Sequence, residues 1–454
     1  MQNLYDEVGS LDKRCYDEFG LNEDILMEHA ALGISTYIRK NFVKNSKVII
    51  VCGSGNNGAD GLVVARQLHR DYAVSIFYAK KPKSKMSVIQ EKRVKKFGLN
   101  ECVKIKDCDV LVDAILGTGF TGEADGEVKK IIKKMNAIKA FKIACDIPSA
   151  FEFVADLTLT MGALKKSMYL DNVKDMVGVV KVVDLGVSRE VYEKDSDWKL
   201  LDLDDLELPY RNKKDTHKGS FGHLAIALGD KSGASIMSAL TALKFGSGLV
   251  TLVGYRESHV PHSIMFAAQV PKNTTALALG MGLVNEFNEI ELGNFLDNTL
   301  PLIADADLFH DDMILKILKR KNVVITPHPK EFVALLRILD ITDITVDKLQ
   351  KNRFKYVELF CKKFKNVTLL LKGANVIIGQ NNEFLVNPHG TSALAKGGSG
   401  DVLSGLIGAL LAQGYRPLDA AINASLSHTK LALSYEGADF SLTPDDLIKQ
   451  IGKL

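Results

Sequence analysis

Apolar residues run along this chain in two alternating rhythms. Short β-branched runs occupy 47–52 (KVIIVC), 73–78 (AVSIFY), 109–116 (DVLVDAIL), 141–145 (FKIAC), 156–160 (DLTLT) and 179–183 (VVKVV). Between them the spacing turns helical. Asn22 stands as an N-cap before Ile25, Leu26, Ala30, Ile34 and Ile38, and ADGLVVARQLHR predicts a helix over 59–70. Strands that alternate with helices form βαβ units, so residues 1–195 are expected to fold as one doubly wound, mostly parallel α/β sheet.

Near residue 193 the character changes. EKDSDWKLLDLDDLELPYRNKKDTHKG is highly charged and has no sustained apolar face. Residues 196–215 are therefore expected to be a linker, with one short helix around Asp202–Leu206. A second alternation follows, with strand-like runs at 223–228, 248–253, 276–279, 301–304, 322–326, 367–371 and 375–378. Helical stretches at 234–245, 330–338, 400–413 and 417–434 lie between or after them. Residues 216–454 thus predict a second α/β domain that ends in helices.

Composition narrows the function classes. Apolar residues make up 46% and charged residues 25%, the balance of an ordinary globular protein. The net charge of +3 arises from 58 basic and 55 acidic residues spread along the chain, so neither nucleic acid nor a membrane surface is an expected partner. There is no apolar run of about 18 residues or more and no basic-then-apolar leader. The six cysteines include no C-x-x-C pair and no zinc spacing, and several lie in strand-like runs. Reduced, buried thiols in a cytoplasmic protein are the expectation.

Three polar or glycine-rich turns follow strands in the first half: Gly53-Ser-Gly-Asn-Asn-Gly-Ala-Asp-Gly61, Gly117-Thr-Gly-Phe-Thr-Gly-Glu123 and Asp146-Ile-Pro-Ser149. In open parallel sheets ligands bind beyond the carboxyl ends of strands, where such turns converge. Residues 53–58 match G-x-G-x-x-G. The next strand, however, ends in Tyr78-Ala-Lys-Lys81 rather than in the acidic residue a dinucleotide fingerprint needs. Asn57, Asp113 and Ser149 offer oxygens at three strand ends, a donor set for a hard cation. Their alternative roles are turn stabilisation by Asn57 and Ser149 and helix capping by Asp113.

In order, GSGNNGADG, VDAILGTGF and ACDIPS resemble the NAD(P)H-hydrate epimerase domain, a Rossmann-like fold. The resemblance implies a potassium ion held by Asn57, Asp113 and Ser149. It also implies substrate contacts from Asn56, Asn57, Gly58, Ala59 and Asp60, from Gly117, Thr118, Gly119, Phe120, Thr121, Gly122 and Glu123, and from Asp146. Asp146 is then the acid/base residue. Ala59 stands where the family usually has a glycine, and Ser149-Ala-Phe-Glu-Phe-Val-Ala155 lacks the family's longer glycine-containing loop. That shortened loop keeps open a catalytically silent N-terminal binding module.

In the second half, Ala395-Lys-Gly-Gly-Ser-Gly-Asp-Val-Leu403 leads into an apolar helix. Backbone N–H groups at such a helix start make an anion hole, and Asp401 can accept a proton from a hydroxyl, which suits phosphoryl transfer to an alcohol. Lys372-Gly-Ala-Asn-Val376 closes a strand and can hold a nucleotide. Thr326-Pro-His-Pro-Lys-Glu331 offers His328 either as a helix cap or as a reactive group.

HKGSFGH, ALGMGL, PLIADAD, TPHPKE, LLLKGA and GGSGDVLSG, in that order, resemble the ADP-dependent NAD(P)H-hydrate dehydratase, of ribokinase-like fold. The resemblance implies ADP contacts from Lys372, Gly373, Ala374, Asn375, Val376 and Gly400. It implies hydrate contacts from Ala234, Gly282, His328 and Asp401, with Mg²⁺ beside ADP. Leu308 and His310 stand where the family has alanine and asparagine, and GMG replaces G-P-G. The expected protein is a homo-oligomer acting on hydrated NADH, hydrated NADPH and ADP; a ribokinase-like small-alcohol kinase with a silent first domain is the alternative.

Overall fold

A computed structural model describes every residue except Thr121, 255–259, 284–292 and 294, together with the side chain of residue 307. The chain divides into two compact units, Gln2–Ser196 and Asp197–Leu454, with Met1 grouped with the latter. Thr121, expected to contact substrate, lies outside the described residues.

The N-terminal unit contains β1 (Gln2–Tyr5), β2 (Lys47–Cys52), β3 (Ala73–Tyr78), β4 (Asn100–Glu101), β5 (Val110–Ala114), β6 (Phe141–Cys145), β7 (Leu157–Met161), β8 (Leu164–Lys165) and β9 (Val179–Val183). Seven of these form a wholly parallel sheet in the order β4-β3-β2-β5-β6-β7-β9. The order reverses between β2 and β5, which opens a crevice at their carboxyl ends. β5 is buried along its whole length and β2 at all but its first residue, as expected of strands covered by helices on both faces. The helix Glu23–Asn41 starts where its cap dictates, with the Asn22 side chain accepting from the Ile25 N–H at 3.0 Å.

The C-terminal unit contains β10 (Trp198–Leu200), β11 (His223–Ala227), β12 (Leu249–Val253), β13 (Met265–Ala267), β14 (Ala276–Leu279), β15 (Leu302–Ala304), β16 (Val323–Ile325), β17 (Val367–Leu371), β18 (Val376–Gln380) and β19 (Glu383–Asn387). Their order is β13-β12-β11-β14-β15-β16-β17-β18-β19-β10. Pairing is parallel except for β18, which runs against both of its neighbours. Here the reversal lies between β11 and β14; Ala234 follows β11, Gly282 follows β14, His328 follows β16, Lys372 follows β17, and Gly400 and Asp401 follow β19. The helix Ser399–Ala412 is almost entirely buried, as its apolar sequence requires.

The segment expected to be a linker is partly sheet. Trp198–Leu200 pairs with β19 in parallel, and the Trp198 indole stacks on Phe384 at 4.6 Å. Three residues are too few to show a period of two, so burial of Trp198 and Leu200 was masked by the charges around them. A 3₁₀ turn at Leu203–Asp205, capped by Asp202, takes the place of the short helix.

Candidate active sites

A cavity of about 580 Å³ opens at the carboxyl ends of the N-terminal sheet. Its walls include Asn56, Asn57 and Asp60 after β2, Gly117, Thr118, Gly119 and Phe120 after β5, and Asp146 after β6. The remaining expected contacts lie elsewhere. A Cβ at Gly58 would fall 2.1 Å from the Gly53 carbonyl oxygen, so Gly58 allows the turn to close on itself and does not line the cavity. Ala59 is fully buried in the core. Gly122 and Glu123 are exposed, and Glu123 pairs with Lys129 at 3.3 Å.

Asp113 and Ser149 are joined directly. The Ser149 hydroxyl donates to Asp113 Oδ1 at 2.6 Å and the Ser149 N–H to Oδ2 at 2.8 Å, while the Leu116 N–H donates to Ser149 Oγ at 2.9 Å. Burial raises the Asp113 carboxyl to about 6 despite those bonds. Asn57 is buried, and both atoms of its amide lack a hydrogen-bond partner. A Cβ at Gly117 would touch Asn57 at 3.3 Å and lie 3.6 Å from Asp146 Oδ2, which places Asn57, the β5 loop and Asp146 together. The orphaned Asn57 amide lines the cavity, while Asp113 and Ser149 do not; an amide, a desolvated carboxylate and a serine oxygen are the donor types that suit an oxygen-liganded cation.

Asp146 adopts φ +72°, a conformation that side-chain-bearing residues rarely take. Its carboxylate is held by Lys165 Nζ at 2.6 Å, the Met161 N–H at 3.2 Å and the hydroxyls of Thr160 and Thr118 at 3.3 Å each. Burial alone would raise its pKa. The Lys165 charge and these donors outweigh burial and keep the group below the usual carboxylate range. Lys165 is fully buried and also donates to Thr160 Oγ1 and the Met161 carbonyl. Sequence reasoning missed it, since a lysine pair in ALKKS reads as solvated surface. Ala150, in the shortened loop after Ser149, has φ +54°, in the left-handed region that favours glycine.

In the C-terminal unit the expected residues gather around Lys372. Its ammonium lies 2.8 Å from Asp305 Oδ1 and 4.0 Å from Glu331, and a Cβ at Gly400 would lie 3.8 Å from it. Ser404 donates to Asp305 Oδ2 at 2.8 Å. Burial opposes ionisation of both partners. Their mutual attraction prevails, lowering the Asp305 pKa and raising that of Lys372. Lys372, an expected ADP contact, has a carboxylate partner within the protein that balances its charge. Gly280, at φ +108°, permits this packing: a Cβ there would strike the Asp305 carbonyl oxygen at 1.8 Å.

Arg353, another buried residue the sequence did not flag, donates to the carbonyls of Asn375 and Lys372 at 3.0 Å each and of Leu371 at 3.3 Å. It pins the turn that exposes Gly373 and Ala374 and leads into Val376. His328 caps the helix Pro329–Ile338: its Nδ1 accepts from the Glu331 N–H at 3.1 Å, and its Nε2 lies 3.2 Å from Glu331 Oε1. Burial, then the Lys372 charge, lowers its pKa, so it is neutral with the proton on Nε2. Ala234 and Gly282 adjoin, since a Cβ at Gly282 would lie 3.2 Å from Ala234 Cβ. Asp401 sits in the first turn of Ser399–Ala412, its carbonyl accepting from Ser238 Oγ at 2.8 Å.

Lys372→Met should strand the Asp305 carboxylate in the interior and destabilise this unit by about 3–5 kcal/mol. Adding Asp305→Asn should recover much of the loss in urea unfolding; a double variant no more stable than Lys372→Met would contradict the pairing.

The family model described as NAD(P)H-hydrate dehydratase matches residues 224–453, and the one described as YjeF-related protein N-terminus matches residues 23–167. A bifunctional NAD(P)H-hydrate repair enzyme from Helicobacter pylori is 41% identical over 478 aligned residues, which cover 100% of both chains. This chain belongs to that family. A second member, from Dictyoglomus turgidum, is 30% identical over 98% of this chain and 96% of its own. Among solved structures, an ADP/ATP-dependent NAD(P)H-hydrate dehydratase from Bacillus subtilis, co-crystallised with ATP and Mg²⁺, is 27% identical. The alignment covers 54% of this chain and 92% of that one, with a TM-score of 0.47. Family membership makes the chain an enzyme of nicotinamide nucleotide repair, with an epimerase domain followed by a dehydratase domain. Among the described residues no helix is long and apolar enough to cross a membrane.

Proposed function

We propose that residues 1–195 interconvert the R and S hydrates of NADH and NADPH, and that residues 216–454 dehydrate the S form at the expense of ADP. The observation that carries this reading is the gathering of Asp146, Asn57 and Asp60 around one cavity, and of Lys372, Asp305 and Gly400 into one cluster beside the helix that bears Asp401. In the first site Asn57, Asp113 and Ser149 would hold potassium, and Asp146, kept ionised by Lys165, serves as base. A cation there supplies positive charge that favours the ionised forms of both aspartates.

In the second site the turn Lys372–Val376 and the backbone at Gly400 receive ADP. Ala234, Gly282, His328 and Asp401 receive the hydrate. Mg²⁺, when bound, neutralises charge on the transferring phosphoryl group. Asp401 takes the proton of the ring hydroxyl as its oxygen attacks the β-phosphorus of ADP, which releases AMP. The phosphate then departs with the C–O electron pair while the ring nitrogen pushes in. Loss of a proton from the neighbouring carbon restores the dihydronicotinamide. The protein works in the cytoplasm as a homo-oligomer.

The test is to incubate the purified chain with both hydrate epimers, ADP, Mg²⁺ and K⁺ and follow the near-ultraviolet absorbance of reduced nicotinamide. Complete conversion of both epimers is expected. Consumption of the S form alone would remove the epimerase, and no conversion would overturn the reading.

A further inference from the structure

Three carboxyl groups line the N-terminal cavity, those of Asp12, Asp60 and Asp146. Two have partners: Asp146 is paired with Lys165, and Asp12 accepts from the Tyr192 hydroxyl at 2.7 Å. The carboxyl of Asp60, a half-buried residue of the wall, makes no hydrogen bond or ion pair among the described residues. The titratable groups that act on it are Asp12 and Tyr16 of the helix Gly9–Phe19, Glu23 of the helix Glu23–Asn41, and Cys145 and Asp146 at the end of β6. None of these is a cation. Burial, then the charges of Asp146, Asp12 and Glu23, holds the Asp60 carboxyl well above the ordinary range. Asn57, buried with both amide atoms unpartnered, lines the same cavity and marks it as built for a bound group.

We propose that Asp60 is the general acid of the epimerase, with Asp146 as its paired base. The assignment rests on reading this cavity as the epimerase site. Water adds to an enamine at the carbon beside nitrogen, so the hydroxyl of the hydrate sits on a ring carbon bonded to the ring nitrogen. Inverting that carbon requires its C–O bond to break and form again on the other face.

Asp60 donates its proton to the departing hydroxyl. The C–O electron pair stays on oxygen, water leaves, and the nitrogen lone pair forms an N=C bond. A water molecule then adds to the opposite face, the N=C pair returns to nitrogen, and the Asp146 carboxylate takes the proton of the incoming water. Asp60 has lost one proton and Asp146 has gained one, and exchange with solvent through the open cavity resets both. The reverse direction uses the same groups with their roles exchanged. Two carboxyls with opposite environments supply what one ionised carboxylate cannot, a donor and an acceptor at the same pH.

The experiment measures epimerisation by the full chain, separating the epimers by chromatography and subtracting the uncatalysed rate. Asp60→Asn should lower kcat by about 100-fold or more while KM changes less than about threefold. ADP-driven dehydration of the S epimer, which takes place in the other unit, should be unchanged. The unmodified chain should lose kcat on the alkaline side of its pH profile as Asp60 ionises, and Asp60→Asn should lack that decline. Asp60→Glu should recover part of the rate.

An Asp60→Asn chain that keeps more than about a third of kcat, or loses only in KM, would overturn the assignment. A wild-type profile with no alkaline decline would also overturn it, whatever the folding of the variants. If the unmodified chain fails to interconvert the epimers, the epimerase reading itself falls. If it succeeds and Asp60→Asn succeeds equally, only the acid assignment falls.

Discussion

An Asp401→Asn chain is expected to lose dehydration by a factor of about 10²–10⁴ while binding ADP within about threefold of the unmodified protein. The amide keeps the size and shape of the carboxylate but cannot accept the hydroxyl proton. Asp401 sits in the first turn of Ser399–Ala412, one residue beyond Gly400, and its backbone is held by Ser238 Oγ. The substitution removes a favourable charge from a helix N-terminus, worth about 0.3–1 kcal/mol, too little to unseat the helix. Single-turnover dehydration with saturating ADP reads the chemical step, and calorimetry reads nucleotide affinity. A variant that retains more than half of the rate would exclude Asp401 as the base.

Replacing Asp113 by alanine should abolish epimerisation and the response to potassium together. Asp113 is the sole anion among Asn57, Asp113 and Ser149, and it also organises Ser149 through two hydrogen bonds. Its loss frees the Ser149 hydroxyl and leaves the buried Asn57 amide without a reason to face the cavity. Asp113→Asn preserves the shape and removes only the charge, so it should fail in the same way while keeping a near-normal unfolding temperature. Epimerisation in potassium, sodium and a bulky organic cation separates this from a purely structural role. Equal rates of the unmodified chain in all three salts would remove the ion from the account, as would an Asp113→Asn chain that still responds to potassium.

The parallel sheets were legible because their strands are apolar runs closed by turn residues. β2, β3, β6, β9 and β17 occupy the residues their sequences predict. The loops after β2, β5 and β6 were legible too, since glycine and asparagine clusters at strand ends have few other uses. What escaped were the partners buried beneath the loops. Lys165 is bound to Asp146 across nineteen positions and Lys372 to Asp305 across sixty-seven. No local period reports such a pairing, and a charged residue near an element's end ordinarily points to water. Arg353 was hidden in the same way, as one more cation in the lysine-rich stretch KNRFK. His328, left open between cap and reactant, is a cap in the structure. Gly58 and Ala59 serve the close packing of their turn rather than the cavity surface.

The pairing of β10 with β19 gives the protein a built-in optical reporter. Trp198 is the only tryptophan in the chain, and it is buried in the C-terminal unit. It stacks on Phe384, meets Phe354 edge-on at 4.8 Å and donates from Nε1 to Glu358 at 2.6 Å. Selective excitation of the indole therefore follows the melting of the dehydratase unit alone, with emission moving to longer wavelength as the ring meets water. The epimerase unit is silent at that wavelength, so far-ultraviolet circular dichroism, which sees both units, minus the indole signal isolates its transition. A fragment begun at residue 216 would lose the reporter and β10 together, whereas one begun before Asp197 keeps both.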